Sequence, residues 1–271
     1  MDLKKRYIWL TDLHLDTLMP WNLVKFIWHI KKEDPAGIFL TGDISNGLLT
    51  PFHLNLLATF IKCPIYFVIG NHDYHFSSLE KMHDNIRHLC QKHSNLIWMT
   101  ESEPMLLNDG AALIGTEGWY DAKGGKPNYL RLTFDWFMVK NFRQLPNMQG
   151  RIKVWEEMAQ KSAEDIAKKL NKAIDQGYKT IYILTHIPCW KEATRDVGTF
   201  LEKFWLPYNV NSYMGQALEK IMEEHKKKHA IVLAGHTHSP LSIHVSRNIE
   251  CRVGNAHYIG LFRPDENILI I

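Results

Sequence analysis

Cysteine is scarce in this 271-residue chain: Cys63, Cys90, Cys189 and Cys251 are the only four, and their wide spacing matches no zinc or redox motif. A reduced, cytoplasmic setting follows. Cys63 and Cys251 border apolar runs and read as core residues. Long apolar runs are missing as well. No stretch reaches the ~18 residues needed to cross a bilayer, and Met1 to Arg6 lead straight into a strand-like run with no signal-peptide region. Secretion and membrane insertion are both disfavoured. An excess of one charge is also lacking, since 32 Lys and Arg face 29 Asp and Glu for a net charge of +3. That balance is too mild to imply nucleic acid by itself. The tightest basic run, Lys226-Lys227-Lys228, follows Glu223-Glu224 at an expected helix end and reads as a solvated terminus. There is no internal repeat, low-complexity tract or linker-like stretch. One domain over residues 1–271 is expected, long but within the usual range.

What is present begins with a composition suited to a core, 45% hydrophobic and 23% charged. There are also 15 histidines, well above what chance supplies. Histidine is the commonest metal ligand. Where these residues stand decides what they do.

Arg6 to Leu10 reads as a first strand ending in Thr11-Asp12-Leu13-His14. If that end is extended, Asp12 and His14 share one face and Leu13 turns to the core. Asn22 to Lys32 carries Leu23, Phe26, Ile27 and Ile30 at helical spacing. Ile38 to Leu40 is a second strand, closed by Thr41-Gly42-Asp43. Pro51 to Ile61 is a second helix. The apolar run Pro64 to Ile69 is a third strand, released by Gly70 into Asn71-His72-Asp73. Strand, helix, strand, helix, strand implies parallel strands with right-handed crossovers, all ending at the sheet edge where such folds place ligands.

A helix is expected over Ser77 to Lys92. Leu96 to Met99, Pro104 to Leu107 and Ala111 to Gly115 then read as short strands with a tight turn at Asn108-Asp109-Gly110, the start of a second sheet or mixed edge. Residues 117–150 and 187–211 are long aromatic-rich loops, separated by a helix from Arg151 to Gln176 and the strand Thr180 to Leu184 with Thr185-His186 at its end. The first loop suits a lid or substrate wall, or a packed excursion, and the second holds another aromatic cluster. Met214 to Lys228 is a helix. Ala230 to Ala234 is a strand closed by Gly235-His236-Thr237-His238. Leu241 to Val245 and Glu250 to Val253 form a hairpin, and Asn267 to Ile271 a final strand.

Asp12, His14, Asp43, Asn71, His186, His236 and His238 are thus seven ligand-type residues on five strand ends. They offer nitrogen and oxygen but no thiolate, which suits Mn²⁺, Fe or Zn²⁺ and disfavours a closed structural zinc site. Seven donors exceed one tetrahedral ion and suggest two. A shared carboxylate is the economical way to hold two ions ~3.5 to 4 Å apart. Asp43, from the central strand of the first three, is the candidate.

Asp12-Leu13-His14, Gly42-Asp43, Gly70-Asn71-His72-Asp73, His186 and Gly235-His236-Thr237-His238 resemble, in order and context, the signature blocks of the calcineurin-like metallophosphoesterase superfamily. The resemblance implies an α/β fold, a four-layer αββα sandwich of two mixed β-sheets flanked by helices, with a dinuclear metal site at the strand C-terminal ends. By matching positions, Asp12, His14 and His238 would bind one metal, Asn71, His186 and His236 the other, and Asp43 both. The ions would be divalent or transition metals, Mn²⁺ first and Fe or Zn²⁺ as alternatives. The implied reaction is hydrolysis of a phosphomonoester or phosphodiester by in-line attack of a hydroxide held by both metals.

His72 would act on the phosphoryl oxygen or leaving group. Asp73 would orient His72, or else cap the loop. Among further candidates, His75 and His257 could line the pocket, and Lys126, Arg131 and Arg195 could hold a substrate phosphate. A phosphorylated small molecule is the favoured partner, because the basic charge is weak and the loops are aromatic. A nuclease on the same site is the alternative within the class. A non-catalytic metal-binding scaffold is the alternative outside it, and loss of His72 or a metal ligand would mark that case; none is lost.

Overall fold

The computed structural model describes residues 6–107, 110–123, 134–194, 202–256 and 268–270. Asn108 and Asp109 of the expected turn, Lys126, Arg131, Arg195 and His257 lie outside the described residues. The elements run β1 (Arg6–Leu10), α1 (Pro20–Glu33), β2 (Gly37–Thr41), α2 (Thr50–Phe60), β3 (Ile65–Val68), α3 (Leu79–Lys92) and β4 (Leu96–Trp98). The second half holds β5 (Met105–Leu106), β6 (Ala112–Gly115), α4 (Phe134–Met138), α5 (Lys140–Arg143), α6 (Met148–Asp175), β7 (Thr180–Leu184), α7 (Glu202–Asn209), α8 (Ser212–Glu224), β8 (His229–Ala234), β9 (Leu241–Ser246), β10 (Ile249–Val253) and β11 (Ile268–Ile270).

Two mixed sheets result. The first has strand order β11-β1-β2-β3-β4 and the second β5-β6-β7-β8-β10-β9. In the first, β1 to β4 are parallel and β11 is antiparallel to β1. In the second, β6, β7, β8 and β10 are parallel, with β5 and β9 antiparallel at the edges. β4 is therefore the last parallel strand of the first sheet. The expectation that grouped it with the hairpin strands was wrong, because α3 serves as one more crossover and the hairpin begins only at β5.

The period-two alternation of the strands separates three apolar layers. Ile8, Leu10, Ile38, Leu40, Ile65 and Phe67 face α1, α2 and α3. Their chain neighbours Tyr7, Trp9, Phe39, Tyr66 and Val68 turn the other way, onto Leu113, Tyr182, Leu184 and Leu233 of the second sheet. The far face of that sheet, with Ile181, Ile183, Val232 and Ala234, is covered by Ile166, Leu170 and Ala173 of α6 and by Leu218 and Met222 of α8. Helices, sheet, sheet, helices is the αββα sandwich.

Local signals set the helix starts. Ser78, Asn147 and Asn211 each accept a backbone N–H from the first turn of α3, α6 and α8. Buried Lys169 on α6 donates to the carbonyls of Met99 and Thr100 just past β4 and of Gly115 at the end of β6, at 2.7 to 2.9 Å. One ammonium thereby ties both sheets to the helix. The two long loops are less loop-like than expected, since α4 and α5 fall within 117–150 and α7 within 187–211. Trp119, Tyr120, Phe142, Trp155 and Tyr208 are buried in the first core. For Trp119, Tyr120 and Phe142 of the first loop the packed reading holds, not the substrate wall.

Candidate metal centre

β1, β2 and β3 end at one edge, and β7 and β8 end opposite them across the sandwich. Past the strands, the loops after β1 and β2 keep running side by side, with N–H donation from Asp12 to Gly42 and from His14 to Asp43. Their backbone is not extended. Asp12, His14, Asp43, His236 and His238 all have φ between 41° and 71°, a region that Asp, Asn and His enter more readily than other side chains. The expectation that Asp12 and His14 align because residues i and i+2 of an extended segment do so was therefore wrong in its reason. Left-handed turns bring both side chains inward while Leu13 still reaches the core.

Two groups of ligand atoms gather there. Those of Asp12, His14, Asp43 and His238 lie within 4.8 Å of one another, and so do those of Asp43, His186 and His236. Asp43 belongs to both. Asn71 joins the second group, its Oδ1 standing 3.0 Å from His186 Nε2 and 3.1 Å from His236 Nδ1. In the first, His238 Nε2 is 3.1 Å from Asp12 Oδ1 and 3.4 Å from His14 Nε2. All seven sequence-predicted ligand residues are thus brought together.

The groups behind these side chains fix which atom each presents. His186 Nδ1 donates to the carbonyl of Thr41 at 2.8 Å, which leaves Nε2 for the site. His236 does the reverse, with Nε2 on the carbonyl of Tyr208 at 2.8 Å and Nδ1 turned in. Asn71 Nδ2 donates to Asp135 Oδ1 at 3.0 Å, so its oxygen is the inward atom. Asp135 also accepts from His75 Nε2 at 2.7 Å and from the Tyr120 hydroxyl at 3.0 Å. No sequence signal marked Asp135, which sits in the aromatic segment after residue 117. His75, named only as a possible pocket residue, is part of this support.

Gly42 and Gly70 are required by close approach. A Cβ on Gly42, at φ +89°, would stand 2.6 Å from His186 Nδ1, and one on Gly70 2.6 Å from the Asp43 amide nitrogen.

His72 stands apart from both groups. Its N–H donates to Asp43 Oδ1 at 2.9 Å, while its ring reaches solvent and keeps Nε2 4.0 Å from Asp43 Oδ2. Asp73 makes contacts of a loop cap: it accepts from Ile44, Ser45 and Gly70 N–H and from the Thr50 hydroxyl, at 2.7 to 3.3 Å. Burial, aided by the Asp43 charge, pushes its carboxyl up to about 7.

Asp12 and Asp43 are fully buried, and among the described residues their ion-pair partners are histidines only. Burial opposes ionisation of Asp43, yet His186, His72 and His14 together hold it well below the usual carboxylate range. Burial likewise opposes a charge on His186, but Asp43 and Asp12 outweigh it and raise the ring to about 10. His236 goes down to about 4, through burial and then the His186 charge. Buried carboxylates without Lys or Arg, facing imidazole nitrogens already aimed inward, are a donor set that fits divalent cations, which would displace the His186 proton on binding.

Residues 5–240 match the family model for calcineurin-like phosphoesterases. The chain belongs to that family. Calcineurin-like phosphoesterases depend on a dinuclear metal site, and here the paired groups could hold the ions. Among solved structures, the chain is similar to phosphopantetheinyl hydrolase from Mycobacterium tuberculosis, with a TM-score of 0.64 at 13% identity over 93% of this chain and 91% of that one. It is also similar to a dimetal phosphatase from Danio rerio, with a TM-score of 0.57 at 12% identity over 93% and 87%. At such identity the likeness is one of fold. No curated protein matches the chain by sequence. Family and site together support a metal-dependent phosphoester hydrolase.

Proposed function

We propose that this calcineurin-like phosphoesterase hydrolyses a phosphomonoester or phosphodiester of a small molecule by in-line displacement at phosphorus. The observation that carries the reading is Asp43, whose carboxylate belongs to both ligand groups. Asp12, His14 and His238 would hold one ion, Asn71, His186 and His236 the other, and Asp43 both, with Mn²⁺ the first choice. Two such ions, when bound, supply a nucleophile at neutral pH and neutralise charge on the phosphoryl oxygens.

The chain's own residues do the rest. His186 and His236, each fixed through its second ring nitrogen, present Nε2 and Nδ1 to the site without rotating, and Asp135 keeps the Asn71 oxygen turned in. His72 is free of both groups and partly exposed, so its ring can donate a proton to a phosphoryl oxygen or the departing alkoxide. Asp73 serves this step only by holding the loop that carries His72. The small net charge favours a small substrate over a nucleic acid.

Metal analysis and a substrate panel on one preparation test the reading. Close to two ions per chain are expected, with turnover of a soluble monoester or diester exceeding that of single-stranded DNA. His72→Ala should keep the metal and lose about a hundredfold or more in kcat, whereas Asp43→Asn should lower the occupancy of both sites. Metal-free wild type, or full turnover in the His72 variant, would refute the assignment.

A further inference from the structure

We propose that the outer faces of α1 and α2 form a docking surface for an anionic lipid bilayer, held by interfacial tryptophans and phenylalanine and by lysines. Among the described residues, eight of the thirteen exposed large hydrophobics fall between positions 19 and 60, each with 40 to 67% of its surface accessible. On α1, Trp21, Val24 and Trp28 repeat at helical spacing on the face opposite Leu23, Phe26, Ile27 and Ile30, which are buried against the sheet. Leu48, just before α2, and Phe52 and Phe60 on it add to the strip, and α2 carries no Asp, Glu, Lys or Arg. Scattered single hydrophobics are ordinary on a surface, but this many gathered on two helices that cover the same sheet face mark a contact.

The charges within the strip identify what it contacts. Lys25, Lys31 and Lys32 share the exposed face of α1, and the Lys32 ammonium lies 5.6 Å from the Trp28 ring. The one acid on the helix, Glu33, is turned to Arg6. A second copy of the chain would fit poorly, because a twofold contact sets three lysines against three lysines, and exposed Asp34 just past the helix does not balance them. Protein partners in general favour arginine and exclude lysine from the core of an interface, and α1 and α2 contain no arginine. Tryptophan and phenylalanine beside lysine instead match the boundary of an anionic bilayer, where indole rings sit at headgroup level and lysine stems reach outward.

The strip starts close to the metal centre. Both helices begin at the strand-end edge of the sheet, just after the loops that carry His14 and Asp43. Docking would therefore lay the rim of the site alongside the lipid surface. No helix among the described residues is long and apolar enough to cross a membrane. The expectation of no membrane partner weighed the lack of a spanning run and of a signal-peptide region, and a surface contact requires neither.

Cosedimentation of the purified full chain with vesicles tests the proposal, using phosphatidylcholine alone and phosphatidylcholine mixed with phosphatidylglycerol. Wild type should pellet with the mixed vesicles, much less with the neutral ones, and less as salt is raised. Trp21→Ser/Trp28→Ser and Lys25→Glu/Lys31→Glu/Lys32→Glu should each weaken binding by about tenfold or more. Thermal unfolding and hydrolysis of a soluble chromogenic phosphodiester, without vesicles, should stay unchanged in both variants and so establish that they are folded. The proposal is overturned if wild type ignores the mixed vesicles or if both variants bind as wild type does. Self-association abolished by the tryptophan pair would reassign the face to a second copy, and an acidic protein held through the same residues would reassign it to that partner.

Discussion

Asp135 acts on the metal centre at one remove. It holds the Asn71 amide in the orientation that offers oxygen; burial opposes its own charge, but the hydrogen bonds from His75 and Asn71 and the nearby His75 and His72 rings together outweigh it and hold the carboxyl below its usual value. Asp135→Ala should therefore weaken metal binding by the group containing Asn71, with a loss of about tenfold to a hundredfold in affinity or kcat. Metal titration and steady-state kinetics check it; unchanged values in both would remove the role. Asp73→Ala should act on stability instead, because four donors lose a buried acceptor. A cost of about 2 to 4 kcal/mol is expected, read as a lower urea midpoint. At this scale the sequence was informative where a ligand-type residue stands two or three positions past the end of an apolar run, as at Asp12, Asp43, Asn71 and His186. Asp135 was illegible because its meaning lies in contacts 64 residues away, from a segment with no periodicity of its own.

The strand ends, as elements, were legible for their cargo but not for their shape. A run such as Ile65–Val68 closed by Gly70 announces a strand and a loop, yet nothing local distinguishes an extended exit from the left-handed turns at Asp12, His14 and Asp43. Tertiary hydrogen bonds between neighbouring loops decide that. Gly42→Ala should expose the constraint, since it adds a Cβ at φ +89° against the His186 ring. A loss of about 1 to 3 kcal/mol in stability, with reduced metal content, is the expected result, checked by denaturation and metal analysis. A helix over Arg151 to Gln176 was legible, as α6 bears out, but nothing in the sequence sets Lys169 apart from the other lysines along it. Its three carbonyl acceptors make it a fastener between sheets. Lys169→Met should lower the unfolding midpoint by an amount equivalent to about 2 to 4 kcal/mol, while kcat at a temperature where the protein is folded stays near wild type.

Across the whole molecule, each ligand group draws on both sheets: Asp12, His14, Asp43 and Asn71 come from the first, and His186, His236 and His238 from the second. Ions bound there would join the halves of the sandwich, so metal should stabilise the fold by about 1.4 kcal/mol per tenfold excess over its dissociation constant. A melting temperature that falls on chelation and returns with Mn²⁺ is the expected signature; insensitivity to both would deny the link. The parallel order of β1, β2 and β3 was legible from their crossovers. The partner of the last strand was not, because no local pattern names it. β1 is flanked on one side by β2 and on the other by β11, with Arg6 opposite Ile270. On the ribosome, at about 5 to 20 residues per second, that outer edge stays open for roughly 13 to 50 s after β1 emerges. During that interval the apolar strand Tyr7–Leu10 is a template for a neighbouring nascent chain, so the speed of translation bears on how much of this protein folds alone.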